Sequence, residues 1–125
     1  MIIKEDLVKK VQGERVHQIR AGKTHRFIDI TIVSTENRFF VRRYKFGNKS
    51  WYEAFIANPE GQMKIGYTIV DVQGRIPKDL EKITPLVNKA YRNLLGFIYP
   101  LMRLTFNSKR HENSTLELIP VDKDK

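Results

Sequence analysis

The chain has 125 residues, 41% hydrophobic and 30% charged, a composition that fits one ordinary globular domain and makes disorder unexpected except at the ends. It has no cysteine, which excludes disulfides, thiolate nucleophiles and every cysteine-based zinc pattern, and its histidines, His17, His25 and His111, lack metal-ligand spacing. A formal charge of +9 points to an anionic partner or to a solvated basic surface, and only its distribution separates the two.

In chain order, residues 4–12 read as a short amphipathic helix with Leu7, Val8 and Val11 on one side, closed by Gly13. Residues 14–21 carry a weak strand signal in Val16 and Ile19, and Gly22, Lys23 and Thr24 form a turn. Residues 26–33 read as one strand, with Ile28, Ile30 and Ile32 on one face. Residues 34–37 turn the chain into a second strand over 38–44, giving a hairpin. Phe39, Val41 and Arg43 share one face of that strand, and Phe40, Arg42 and Tyr44 the other.

Ser50 and Glu53 have the spacing of a capping box, so a helix is expected from there to about Asn58, with Trp51, Ala54 and Phe55 inward and Pro59 and Gly61 stopping it. Residues 62–72 read as a third strand with Met63, Ile65, Tyr67 and Ile69 on one side, bending near Asp71 and pairing back through residues 72–76. Thr84 followed by Pro85 predicts a helix N-cap and first turn, and that helix runs to Leu95 with Gly96 as a left-handed C-cap. Its buried stripe is Val87, Ala90, Tyr91 and Leu94. Residues 97–113 read as loop, and residues 115–121 as a last strand with Leu116 and Leu118 inward.

This order predicts a single α+β domain, mainly antiparallel, with its core over residues 14–121 and a fraying tail at 122–125. No run of about eighteen apolar residues appears, so no membrane span is expected. The acidic start at Glu5 and Asp6 is unlike a secretory leader, and a cytoplasmic location is expected.

The densest constellation lies between Glu36 and Glu53. Arg38, Arg42, Arg43, Lys45 and Lys49 bring five cations without an intervening acid, at a strand end, a glycine-containing loop and a helix N-terminus. Free N–H groups at a helix start favour phosphate; Ser50 adds a hydroxyl, and Trp51 a flat apolar surface for a ring. The same segment also reads as a solvated basic edge with Trp51 as a core anchor. Tyr91, Phe97 and Tyr99 read as core and interface. Arg103, Lys109, Arg110 and His111 form a second basic cluster, either plain surface or a cover for an anion.

An ordered set of motifs resembles a bacterial family of unassigned function within the FMN-binding split-barrel superfamily. The set comprises Arg26, the strand Arg38-Phe39-Phe40-Val41-Arg42-Arg43, then Ser50-Trp51-Tyr52-Glu53-Ala54, Ala57-Asn58-Pro59-Glu60-Gly61, Ala90-Tyr91-Arg92 and Thr115-Leu116-Glu117-Leu118-Ile119-Pro120. It is more distantly similar to the deazaflavin-dependent nitroreductases, departing from them where Tyr44-Lys45-Phe46-Gly47 replaces a double-glycine loop. The resemblance implies a six-stranded split β-barrel, normally a homodimer with flavin at the subunit interface. Carried over by position, it implies cofactor-binding roles for Arg26, Arg42, Arg43, Lys49 and Ser50, with Trp51 near the ring system. Arg43 is the arginine expected on the ligand side.

Three functions follow. The first is an FMN- or deazaflavin-binding protein, in which the cofactor supplies the redox chemistry and no catalytic acid or nucleophile is needed. The second is a non-enzymatic binder of an anionic or phosphorylated small molecule on a split barrel without flavin. The third is a nucleic-acid module, whose binding would be weak, non-specific and salt-sensitive.

Overall fold

The computed structural model describes residues 4–43, 51–102 and 108–121. Its first helix, α1 (Lys4–Gln12), is followed by β1 (His17–Ala21), β2 (Ile28–Ile30), β3 (Val33–Thr35) and β4 (Arg38–Val41). Then come α2 (Trp51–Ala57), β5 (Glu60–Ile65), β6 (Thr68–Arg75), α3 (Leu80–Leu95), α4 (Ile98–Met102), α5 (Ser108–Asn113) and β7 (Leu116–Pro120). Helix α1 begins with Glu5 and Asp6 and ends with Lys9 and Lys10, matching the helix dipole, and it buries Leu7 and Val11.

Among the described residues the strands form one seven-stranded antiparallel sheet in the order β2-β1-β5-β6-β7-β4-β3, so the expected count of six is corrected to seven. The two outermost strands, β2 and β3, are consecutive in the chain with only Thr31 and Ile32 between them. The sheet therefore curls until its edges meet. The extended run expected as one strand over residues 26–33 is divided there: β2 pairs with β1, and β3 with β4. Side chains satisfy the backbone at the division. Ile32 N–H donates to His17 Nδ1 (2.9 Å), and the Tyr91 hydroxyl donates to the Thr31 carbonyl (3.0 Å).

Two hairpins depend on positive φ. Between β3 and β4, Glu36 and Asn37 both adopt φ 56°, as a two-residue type I′ connection requires. Between β5 and β6, Gly66 takes φ 60°, which places glycine at the first central position of a two-residue turn. This turn corrects the expected continuous strand over 62–72. A two-residue turn shifts the inward set from odd to even positions: Met63 and Ile65 are buried before it, and Val70 and Val72 after it. Tyr67 and Ile69, expected to share the face of Met63, lie outward, and Tyr67 is 101% exposed.

Apolar residues pack on both faces of the sheet, on the outer one at β3 and β4. Within the curl, Ile19, Phe39, Val41, Met63, Val72 and Leu118 pack with Leu7 and Val11 of α1 and Phe55 of α2. On the opposite face, Val33 and Phe40 pack with Ile83, Val87 and Tyr91 of α3 and with Tyr99. Strand alternation sends Phe39 and Phe40 into different cores. Phe55 lies over Gly61 and Gly74 on neighbouring strands, where any Cβ would collide with its ring.

Helix α3 starts a turn before the expected Thr84-Pro85 cap, with Asp79 at the N-cap. Thr84 is inside the helix, and its hydroxyl donates back to the Leu80 carbonyl (2.7 Å). Gly96 ends the helix at φ 62°, with its N–H on the Arg92 carbonyl. The segment expected as loop over 97–113 contains α4 and α5. Among the described residues, no helix is long and apolar enough to cross a membrane.

Candidate functional site

Helix α2 lies over β1 and β6, fixed there by Phe55, and a groove of about 600 Å³ opens between it and β1. Trp51, Ala54 and Ala57 line its helical side, while Ile19, Ala21 and Ile28 form the strand side. His25 and Arg26, both exposed, stand at its rim with Arg20 and Glu53. The structure thus brings together two of the six residues assigned from sequence, Arg26 and Trp51. Arg20 borders the groove from β1, but it alternates with Ile19 and Ala21, so its side chain turns away from the face on which they line it. Its guanidinium donates twice to Gln62 Oε1 (2.9 and 2.5 Å) and lies 4.3 Å above the Phe27 ring.

Arg42 and Arg43 diverge, as neighbours on an extended chain must. Arg42 is only 1% exposed and turns toward α3 and α4. Its Nε donates to Thr115 Oγ1 (2.7 Å), and its Nη1 to Asn88 Oδ1 (2.5 Å) and Tyr99 Oη (3.1 Å). Nη2 reaches the Thr84 carbonyl (3.4 Å). The guanidinium is spent on neutral oxygens inside the protein, and Arg42 does not line the groove.

Arg43 is 8% exposed and turns to α2, where Nη1 meets Glu53 Oε1 at 2.6 Å and the guanidinium stands over the Tyr52 ring at 5.4 Å. Its backbone carbonyl accepts from His111 Nδ1 (2.7 Å), and its N–H donates to Ser114 Oγ (3.0 Å). Arg43 therefore reaches the groove wall through Glu53. Lys49 and Ser50 lie outside the described residues, and with Ser50 so does half of the expected capping box.

Arg38, the first cation of the basic segment, is committed as well. It donates to both oxygens of Glu117 and to both of Asp79, at 2.9 to 3.0 Å. The bonds to Asp79 and then Glu117 hold its guanidinium proton beyond the ordinary range, and the Arg38 bond in turn holds the Asp79 carboxyl below its ordinary value. Because Asp79 faces Arg38, its side chain makes no capping bond at the start of α3. Three of the five cations are thus internal ties, which corrects the reading of the segment as a free basic edge. Lys45 lies outside the described residues.

In the second basic cluster, His111 is buried. Its Nδ1–H donates to the Arg43 carbonyl, so its Nε2 accepts from the Tyr99 hydroxyl (2.9 Å). Lys109 is exposed, and Arg103 and the Arg110 side chain lie outside the described residues. Tyr91 and Tyr99 stack at 5.0 Å between ring centroids. Burial pushes the Tyr91 phenol well above its ordinary range, so it keeps its proton and donates to Thr31. Phe97, grouped with these tyrosines from sequence, is 90% exposed.

No protein-family model matches the chain, and no curated protein matches its sequence. Solved structures share its fold. A putative pyridoxamine 5'-phosphate oxidase from Listeria innocua superposes with a TM-score of 0.60 at 11% identity, over 95% of this chain and 94% of that one. An FAD-binding protein from Mesorhizobium loti superposes with a TM-score of 0.59 at 10% identity, over 97% of this chain and 91% of that one. The curled antiparallel sheet with flanking helices is the split-barrel fold of these proteins.

Proposed function

We propose that the protein binds a flavin-type cofactor in the groove between β1 and α2. The observation that carries this reading is the juxtaposition of Trp51 with Arg26 around a space of about 600 Å³, a volume in the range of small-ligand pockets. The residues fit such a group. The indole offers a wall for a ring system, and Arg26 an exposed charge for an anionic group. Lys49 and Ser50 keep their proposed phosphate role on their adjacency to Trp51 in the chain. Arg42 leaves that set because its donors are spent, and Arg43 acts by orienting Glu53. That structural neighbours include a putative pyridoxamine 5'-phosphate oxidase and an FAD-binding protein supports the reading. When bound, a flavin or deazaflavin supplies hydride and electron transfer, which makes an oxidoreductase of unassigned substrate the matching activity.

Trp51 is the sole tryptophan, so intrinsic fluorescence reports directly on the groove. Titration with FMN or a deazaflavin is expected to quench that fluorescence and shift the cofactor bands. Arg26→Ala is expected to weaken binding by about tenfold, the loss of one charge-assisted contact. A flat titration with both cofactors overturns the proposal. A second reading has an observation in its favour: with Arg38, Arg42 and Arg43 internally engaged, the cationic rim is smaller than the resemblance implies. Quenching of Trp51 by a phosphorylated small molecule but by neither flavin would select that reading, a non-enzymatic anion binder.

A further inference from the structure

A second cleft, of about 460 Å³, lies where α1, the edge strand β3 and α3 meet, and it shares no lining residue with the groove beside Trp51. We propose that it is a ligand site for a small zwitterion, a free α-amino acid with an apolar side chain. The reading is independent of flavin binding.

The floor is apolar. Val11 comes from α1, Val33 from β3, and Leu86, Ala90 and Leu94 from α3. The α3 residues follow at intervals of four, so they share one helix face, offset from the Ile83, Val87 and Tyr91 stripe that packs against the sheet. Leu86 remains 37% exposed there. An apolar floor with a few converging polar groups is the usual make-up of a small-molecule site.

The rim supplies those groups: Gln12, Ser34, Thr35, Glu36, Lys89 and Asn93. Among the described residues none of these six side chains hydrogen-bonds to another protein group, whereas Arg20, Arg38, Arg42 and Arg43 all spend donors internally. Charge then narrows the ligand. Among the described residues the cleft is lined by one cation, Lys89 on α3, and one anion, Glu36 on the β3–β4 turn, in a chain whose net charge is +9. A simple anion would meet Glu36 and a simple cation Lys89. A molecule with both charges satisfies each wall while its side chain covers the floor.

Glu36 is also held at φ 56°, where glycine or asparagine is the favoured occupant. A glutamate kept in a disfavoured backbone conformation is consistent with a required carboxylate.

The experiment is calorimetric titration of the full chain with L-phenylalanine, with 3-phenylpropionate (carboxylate only) and phenethylamine (ammonium only) as comparison arms. L-Phenylalanine is expected to bind in the millimolar range or tighter, and each single-charge analogue about tenfold more weakly. Glu36→Gln should weaken L-phenylalanine by about tenfold and leave 3-phenylpropionate unharmed, and Lys89→Met should do the converse with phenethylamine. Trp51 fluorescence should stay unchanged throughout, which separates this site from the groove. Absence of binding up to about 10 mM, analogues that match the amino acid, or variants that bind as the parent does would each overturn the proposal.

Discussion

Arg42 and Arg43 show how adjacent residues of one type take different work. The buried Arg42 guanidinium makes four donations to neutral oxygens, and its removal orphans those partners rather than merely deleting a cation. Arg42→Met is therefore expected to lose at least about 2 kcal/mol of stability, since Asn88 Oδ1, Thr115 Oγ1 and the Tyr99 hydroxyl lose a donor together. Urea unfolding measures this. A change below about 0.5 kcal/mol would mean that solvent reaches these groups. A surface cation contributes no more than about 1 kcal/mol, and the burial of Arg42 is what raises the expected loss above that. Arg43→Ala instead removes the Glu53 tie, and about half of the Glu53 side chain is exposed, so water compensates for much of the loss. Its expected signature is a change in Trp51 emission with a smaller fall in stability than Arg42→Met.

Among the elements, α2 shows what a sequence can and cannot declare. Its extent was legible from Trp51, Ala54, Phe55 and the Pro59 stop, but its seating was not, because that depends on Gly61 and Gly74 being brought together beneath Phe55 by the register of the β5–β6 hairpin. A Cβ at Gly61 would run into the Arg20 carbonyl and the Phe55 ring at once, and a backbone atom cannot yield as a side-chain end can. Gly61→Ala is expected to lift α2 and cost about 1–3 kcal/mol, with a red-shifted Trp51 emission as the groove opens to water. An unshifted spectrum with unchanged stability would show that the seating tolerates a methyl group. The hairpin at Gly66 was hidden for a different reason. The alternation of Met63, Ile65, Tyr67 and Ile69 continues unbroken through the turn, so periodicity alone reports one strand where two antiparallel strands stand. Helices α4 and α5 were missed because they are short: their placement rests on tertiary ties such as Tyr99 to His111, not on a repeating apolar face. Of the groove lining, Trp51 and Arg26 were legible in the sequence, whereas the internal pairing of Arg42 leaves no mark on it.

At the scale of the whole molecule, exposed Phe97, Ile98 and Leu101 on and beside α4 give the proposed homodimer a physical motive, and light scattering should then return about twice the 14.7 kDa chain mass. A monomeric mass at micromolar concentration would count against it. Closure of the sheet carries a sharper prediction, because His17 stands where the two edges meet. Its Nδ1 accepts from Ile32 N–H, so the proton sits on Nε2 and is given to the Val11 carbonyl (2.8 Å). One neutral ring thereby joins α1 to the divide between β2 and β3. Burial lowers the affinity of this imidazole for a second proton, outweighing the Val11 bond and the charge of Glu14, which act the other way. A protonated ring would also turn Nδ1 into a donor facing the Ile32 donor. The unfolded chain has no such restriction and takes up the proton near the model-peptide value of about 6.5. The His17 contribution is thus complete above about pH 6.5 and declines as pH falls below it, because only the unfolded state gains the proton. His17→Gln keeps a donor and an acceptor but does not titrate. The wild type should therefore lose stability relative to this variant between about pH 6.5 and 5, in urea unfolding at matched ionic strength, while their difference stays constant above about pH 7.5. Parallel profiles down to pH 5 would show that the edges of the sheet are held together without His17.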